Sequence, residues 1–157
     1  MRPGETLVQV TKNAPWLPPG GRAEAFRGGN PPRPMSMVRL LLVRGDEVFC
    51  VARPESGRLD LPTRITGDDD PAGIQTVATL AHDVIGALCD LTFIGAVRNV
   101  VATGTADYAW PTPEAHFGLW TTTADPAVEG EWLTIAGEAS SLREKHWYPI
   151  VAGVGAG

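Results

Sequence analysis

A chain of 157 residues, 43% hydrophobic and 20% charged, is sized and balanced for one globular domain with its own core. Its formal net charge of −5 gives no chain-wide attraction for nucleic-acid phosphates. That excludes a general DNA or RNA binder and leaves room for a local pocket of the opposite sign.

Residues 1–35 differ in composition from the rest. Pro15, Pro18, Pro19, Pro31, Pro32 and Pro34, with Gly20, Gly21, Gly28 and Gly29, punctuate them. Proline removes a backbone donor and glycine adds chain entropy, so neither a long helix nor a central strand is predicted here. One short strand is predicted at Thr6–Val10, where Leu7, Val8 and Val10 favour extended backbone. The segment reads as an N-terminal arm packed on the domain or on a partner subunit, or else as a disordered tail. The domain proper is placed at 36–157.

From Met37 the pattern tightens. Val38–Val43 and Val48–Ala52 read as strands joined through Gly45-Asp46-Glu47 into a hairpin. Leu59–Leu61 is a short third strand stopped by Pro62, and Arg64–Asp70 is rich in turn residues. A helix follows. Asp70 is a favoured N-cap, Pro71 suits the first helical position, and Asp68 and Asp69 suit the positive helix end. Ile74, Val77, Ala78, Ala81, Val84, Ile85 and Leu88 recur at helical spacing and predict the buried stripe, with Gly86 as a left-handed cap. Strands are predicted at Thr92–Val101, Ala115–Thr122 and Gly130–Leu133. A helix is predicted over Ile135–Leu142, with a helical or extended finish over Ser141–Val151. The class is α+β.

No apolar run reaches membrane-spanning length, because Arg39, Arg44, Arg98 and Asn99 interrupt or flank the longest candidates. Pro3, Gly4, Glu5, Lys12 and Asn13 break the N-terminus where a signal peptide needs an apolar stretch. The expected location is cytoplasmic, with no membrane partner. Cys50 and Cys89 are too few for a disulfide framework. One disulfide and two buried thiols are both open, and the second suits a cytoplasmic protein.

The element order, together with Leu59-Asp60-Leu61-Pro62 and the helix ending at Gly86, resembles the Nudix superfamily. The resemblance covers roughly residues 37–151. It implies a mixed sheet sandwiched between helices and a loop-helix-loop box of Gly, five residues, Glu, seven residues, then Arg-Glu-U-x-Glu-Glu-x-Gly-U, with U a bulky aliphatic. Members usually approach the box through Trp-Glu-x-Pro-Gly-Gly, where this chain has Leu59-Asp60-Leu61-Pro62-Thr63-Arg64. Anchored on Gly86, the box arginine falls on Thr79 and the first of its acids on Leu80, while the later acid pair falls on Asp83 and Val84. Gly130-Glu131-Trp132-Leu133 and His146-Trp147-Tyr148-Pro149 resemble the segments around the family's last helix.

By resemblance, the reaction would be hydrolysis of a nucleoside-diphosphate-linked substrate, with Mg²⁺ or Mn²⁺ as cofactor and Asp83 as the retained catalytic and metal-binding acid. Several carboxylates must surround such an ion, because Mg²⁺ takes oxygen ligands in near-octahedral array. One acid of the helix remains. Asp70, with Asp68 and Asp69, offers a displaced metal set that Glu114 or Glu131 could join, or simply caps the helix. Arg53 and Arg64 are the substrate-binding candidates for phosphate, with Arg58 and Arg98 behind them, since arginine forks match phosphate oxygens. His116 is a candidate base or ribose contact, or an ordinary sheet histidine; His82 reads as a surface residue. Trp110, Trp120, Trp132, Trp147 and Tyr148 could stack a base or fill core and interface.

No serine-hydrolase elbow, phosphate loop or His-Glu-x-x-His motif is present. Two functions stand side by side: a metal-dependent hydrolase, and a catalytically inactive Nudix-fold module that binds a nucleotide-derived ligand or a protein. Exposed tryptophans and the arm would suit a homodimer.

Overall fold

The computed structural model describes residues 2–137 and 140–152. In chain order its elements are β1 (Glu5–Thr11), β2 (Arg22–Gly28), β3 (Met35–Leu41), β4 (Val43–Arg44), β5 (Glu47–Ala52), β6 (Leu59–Asp60), β7 (Thr63–Ile65), α1 (Ile74–Ile85), β8 (Thr92–Val100), β9 (Glu114–Thr121), β10 (Glu131–Thr134) and α2 (Tyr148–Ala152). Six strands form one sheet in the order β1-β2-β8-β9-β3-β7. Its β3–β9 pairing is parallel and the others antiparallel, so the sheet is mixed. A second sheet runs β10-β5-β4, with β6 paired to β5.

Alternation along the central strands sets the layers. Met37 and Leu41 of β3, with Ala115, Phe117 and Leu119 of β9, pack on one side against Leu142, Trp147, Ile150 and Val151. Met35, Val38 and Leu40 of β3, with Trp120 of β9, pack on the other side against Val77, Leu80, Ala81 and Val84 of α1. Side chains two apart share a face of a strand, so α1 and the C-terminal segment lie on opposite faces of the sheet. This is the α+β class that the element order predicts, with the sandwiched mixed sheet that the resemblance implies.

In the first 35 residues the strand predicted at Thr6–Val10 lies within β1, and the departure from expectation is β2. β1 and β2 form an antiparallel hairpin, and β2 is an interior strand bonded to both β1 and β8. The prolines all fall outside the two strands, at Pro3 before β1, in the connection Pro15–Pro19 and beyond Gly28. No ladder donor is lost, and proline content does not exclude a strand between them. Ala23, Ala25 and Phe26 are buried there.

Smaller differences follow from pairing that only the folded chain supplies. The predicted hairpin strand over Val38–Val43 is split: β3 belongs to the large sheet, and only Val43–Arg44 pairs with β5. Thr63–Ile65, which overlaps the start of the Arg64–Asp70 stretch read as turns, is an edge strand on β3. The described residues of the predicted helix over Ile135–Leu142 are not helical, and residues 138–139 lie outside those described. Both cysteines are free thiols; burial pushes that of Cys50 up to about 12.

α1 starts at Ile74, three residues later than the Pro71 start predicted. Gly73 takes the N-cap position in the left-handed region (φ 76°), and a Cβ there would meet Met35 Cγ and Val38 Cγ1 at 2.8 Å. Only glycine lets the loop press this closely onto β3. Gly86 ends the helix as predicted, left-handed at φ 83°, its N–H donating to the His82 carbonyl at 2.8 Å.

Candidate functional site

The helix of the box-like segment turns an apolar face inward. Leu80 is 3% exposed and Val84 6%, packed with Val77 and Ala81 against Met35, Val38, Leu40 and Trp120. Leu80 belongs to the buried stripe, although the periodicity reading left it out, while Ile74 and Leu88 (89% exposed) are solvent-facing. Leu80 and Val84 occupy two of the positions where the Nudix pattern has acids. Their methyl groups do not line a hydrated cavity here; they are part of the core.

Asp83, the acid that remains, points the other way. Its carboxylate is 53% exposed and accepts from Arg64 Nη2 at 2.8 Å. Two sequence candidates are thus brought together, but as a partner pair: an arginine at one of the two glycine positions supplies the cation for the lone acid. Asp70 is buried and committed elsewhere. It accepts from the Thr76 N–H and hydroxyl, both at 2.7 Å, and from the Gln75 N–H at 3.3 Å. These bonds hold its carboxyl below the usual range, against the opposing effect of burial. It caps α1 from outside the helix rather than from the N-cap position predicted for it.

Asp68 and Asp69 are exposed on the turn, Glu131 is exposed on β10, and Glu114 pairs with Arg2 at 2.5 Å. Among the described residues, no three His, Cys, Asp or Glu side chains stand close enough together to hold a metal ion. The donor set does not fit Mg²⁺ or Mn²⁺, which need several oxygen ligands converging on one point.

His116 sits on β9 directly across from Arg98 on β8. It is fully buried. Its Nδ1 donates to the Pro34 carbonyl at 2.9 Å, so Nε2 is the acceptor, receiving Arg98 Nε at 2.9 Å and Arg2 Nη1 at 3.3 Å. Burial first, and then the two arginines, lower its pKa to about 4. Arg98 makes a bidentate pair with Glu5 at 3.0 and 2.7 Å and lies near Glu24 and Glu114. Both His116 and Arg98 are thereby absorbed in tying β1 to β8 and β9, with no face turned to a cleft.

The other two arginine candidates meet in a different place. Arg53 and Arg58, from the loop between β5 and β6, line a cleft of about 420 Å³ with Arg39 of β3, Asp60 of β6, and Lys145, His146 and Trp147 of the C-terminal segment. Asp60 organises one wall: it accepts from the Leu61 N–H at 2.8 Å, from Trp147 Nε1 at 2.9 Å and from Arg53 Nη1 at 3.2 Å, with Lys145 Nζ at 3.9 Å. Arg53 also donates to Glu55 at 2.5 Å. Arg39 projects here from a central strand, and its buried Nε has no hydrogen-bond partner among the described residues.

Sequence reading registered Arg39 only as an interruption of an apolar run. The available signal was a lone charge between Val38 and Leu40 in a strand otherwise buried on both faces. Of the aromatic candidates, Trp120 and Trp147 are core, while Trp110 and Trp132 are half-buried against Phe117 and Phe49. Trp16, unremarked in the sequence, is exposed and stacks on His146 at 4.3 Å between ring centres.

No protein-family model matches this chain, and neither does any curated protein. Solved structures do. The chain is similar to the Bacillus subtilis pyrophosphohydrolase BsRppH, solved as a mutant, with a TM-score of 0.57 at 10% identity over 94% of this chain and 93% of that one. It also aligns with an ADP compounds hydrolase, TM-score 0.38 at 11% identity, over 82% of this chain and 76% of that one. The first of these neighbours is a Nudix-fold pyrophosphohydrolase. The first superposition establishes that this chain has the Nudix fold. At 10% identity the likeness is one of fold, and function has to be argued from the site itself.

Proposed function

We propose that this chain is a Nudix-fold binding module, which holds a small ligand without the metal-dependent hydrolysis that the fold's resemblance implies. The observation that carries the reading is the orientation of α1: Leu80 and Val84 are seated in the core where box acids are expected, and Asp83 is turned outward onto Arg64. A hydrolase of nucleoside-diphosphate-linked substrates needs a dication to offset the charge that develops at phosphorus, an effect worth several kcal/mol. One exposed aspartate with its own arginine does not supply the ligands for it.

The test is direct. Calorimetric titration with Mg²⁺ and Mn²⁺ is expected to show no saturable site, and a panel of dinucleotides and nucleotide sugars no metal-dependent phosphate or nucleotide release. The same panel without metal is expected to include saturable binders. Metal-dependent turnover that an Asp83→Ala substitution abolishes would replace the binding reading with the enzymatic one.

A further inference from the structure

Two arginines on the large sheet point their side chains into buried ground, and they are treated very differently. Arg98 is matched by a bidentate Glu5, by Glu24 and Glu114, and by His116. Arg39 has no carboxylate within ion-pair distance and no side-chain hydrogen bond among the described residues, and its Nε is shut off from solvent. Arg39 is half-buried and lines an open cleft, so a guanidinium with no acceptor among the described residues leaves its donors available to an anion that enters from outside.

We infer that the Arg39 cleft is an oxyanion site, and that the ligand of this module carries a phosphate or carboxylate group that seats on the Arg39 guanidinium. The inference rests on the binding-module reading and gives that module its ligand chemistry. The surroundings agree with it. Arg53, Arg58 and Lys145 line the same cleft, and with Arg39 they make four fixed cations against the three carboxylates of Glu55, Asp60 and Glu144. The local excess is positive in a chain whose net charge is −5.

The carboxylates do not satisfy Arg39. Asp60 is held by Leu61, Trp147 and Arg53, and Glu55 by Arg53. A guanidinium offers paired donors in one plane, which suits two oxygens of a phosphate or carboxylate. A cleft of about 420 Å³ suits a small molecule.

Titration calorimetry and thermal shift with inorganic phosphate, pyrophosphate and citrate, against chloride at matched ionic strength, test the proposal and separate phosphate from carboxylate ligands. At least one oxyanion is expected to bind saturably and raise the melting temperature. Arg39→Met is expected to weaken that binding roughly tenfold or more, while the ligand-free protein melts close to the wild type, because the buried Nε makes no hydrogen bond among the described residues that the substitution could remove. Should Arg39→Met not fold, Lys145→Met on the cleft wall and Arg39→Lys, which keeps the charge and loses the fork, are expected to weaken binding too.

Asp83→Ala and Arg64→Ala are expected to leave oxyanion binding unchanged. Absence of any oxyanion effect overturns the inference. So does binding that is insensitive to Arg39 and Lys145, although the binding-module reading would then stand with its site elsewhere. Binding lost in Asp83→Ala and accompanied by metal-dependent turnover overturns both.

Discussion

Replacing Leu80 by glutamate restores an acid at a position where the Nudix box has one, and the outcome depends on which way α1 faces. In this structure the new carboxyl enters the cluster of Met35, Val38, Leu40, Val77 and Trp120. Leucine burial contributes about 1.5–3 kcal/mol, part of which the glutamate methylenes keep. A carboxyl in that setting stays protonated, its folded pKa raised by burial. Holding it neutral at pH 7 against an unfolded value near 4.3 costs about 1.36 kcal/mol per unit over roughly 2.7 units, or about 3.7 kcal/mol. The total is about 5 kcal/mol, comparable with the whole stability of many domains.

Because the folded pKa is raised, this cost is present above the unfolded pKa and disappears as pH falls towards it. Urea or guanidinium titration of Leu80→Glu against wild type should therefore show a large deficit at pH 7 that narrows near pH 4.5, unaltered by millimolar Mg²⁺. Thr79→Glu, one residue earlier on the exposed side, should stay within about 0.5 kcal/mol of wild type. A Leu80→Glu protein as stable as the wild type at pH 7, or one that Mg²⁺ stabilises, would refute the orientation assigned to α1 and the function drawn from it.

Removing Arg98 leaves Glu5, whose side chain is 1% exposed, as a buried unpaired charge. Arg98→Met is expected to cost about 3–5 kcal/mol in chemical denaturation, with part recovered when Glu5→Gln is added. The folded pKa of His116 lies at about 4, below its unpaired value of 6.5. The unfolded chain binds the extra proton between those values, so stability is expected to fall as pH drops from 6.5 towards 4, at up to about 1.36 kcal/mol per unit; a His116→Asn variant should show a shallower slope across that window. Asp70→Ala removes the acceptor for the Gln75 and Thr76 amides and should cost about 1–2 kcal/mol, with no change in calorimetric response to Mg²⁺.

The local grammar of the chain was legible from residues alone. Gly86 ends α1 because a left-handed residue is needed there, and any reading of the sequence finds it. The apolar runs that became β8 and β9 were visible for the same reason: β-branched and aromatic residues at strand spacing state their preference within a few positions. The depletion of box acids was equally plain, since it is a matter of which residues stand at Thr79, Leu80 and Val84.

What those residues do was decided by tertiary structure. Leu80 is a core residue because β3 and β9 present Met35, Val38, Leu40 and Trp120 to it, from positions far away in sequence. The proline-spaced segment before Gly28 became part of the sheet because β8 offered it an edge. Arg39 gained its meaning only when the β5–β6 loop and the C-terminal segment closed around it. Propensity and capping act over one turn or one strand. Burial, ion pairing and cleft formation depend on which distant groups arrive at the same point, and that is a property of the folded chain.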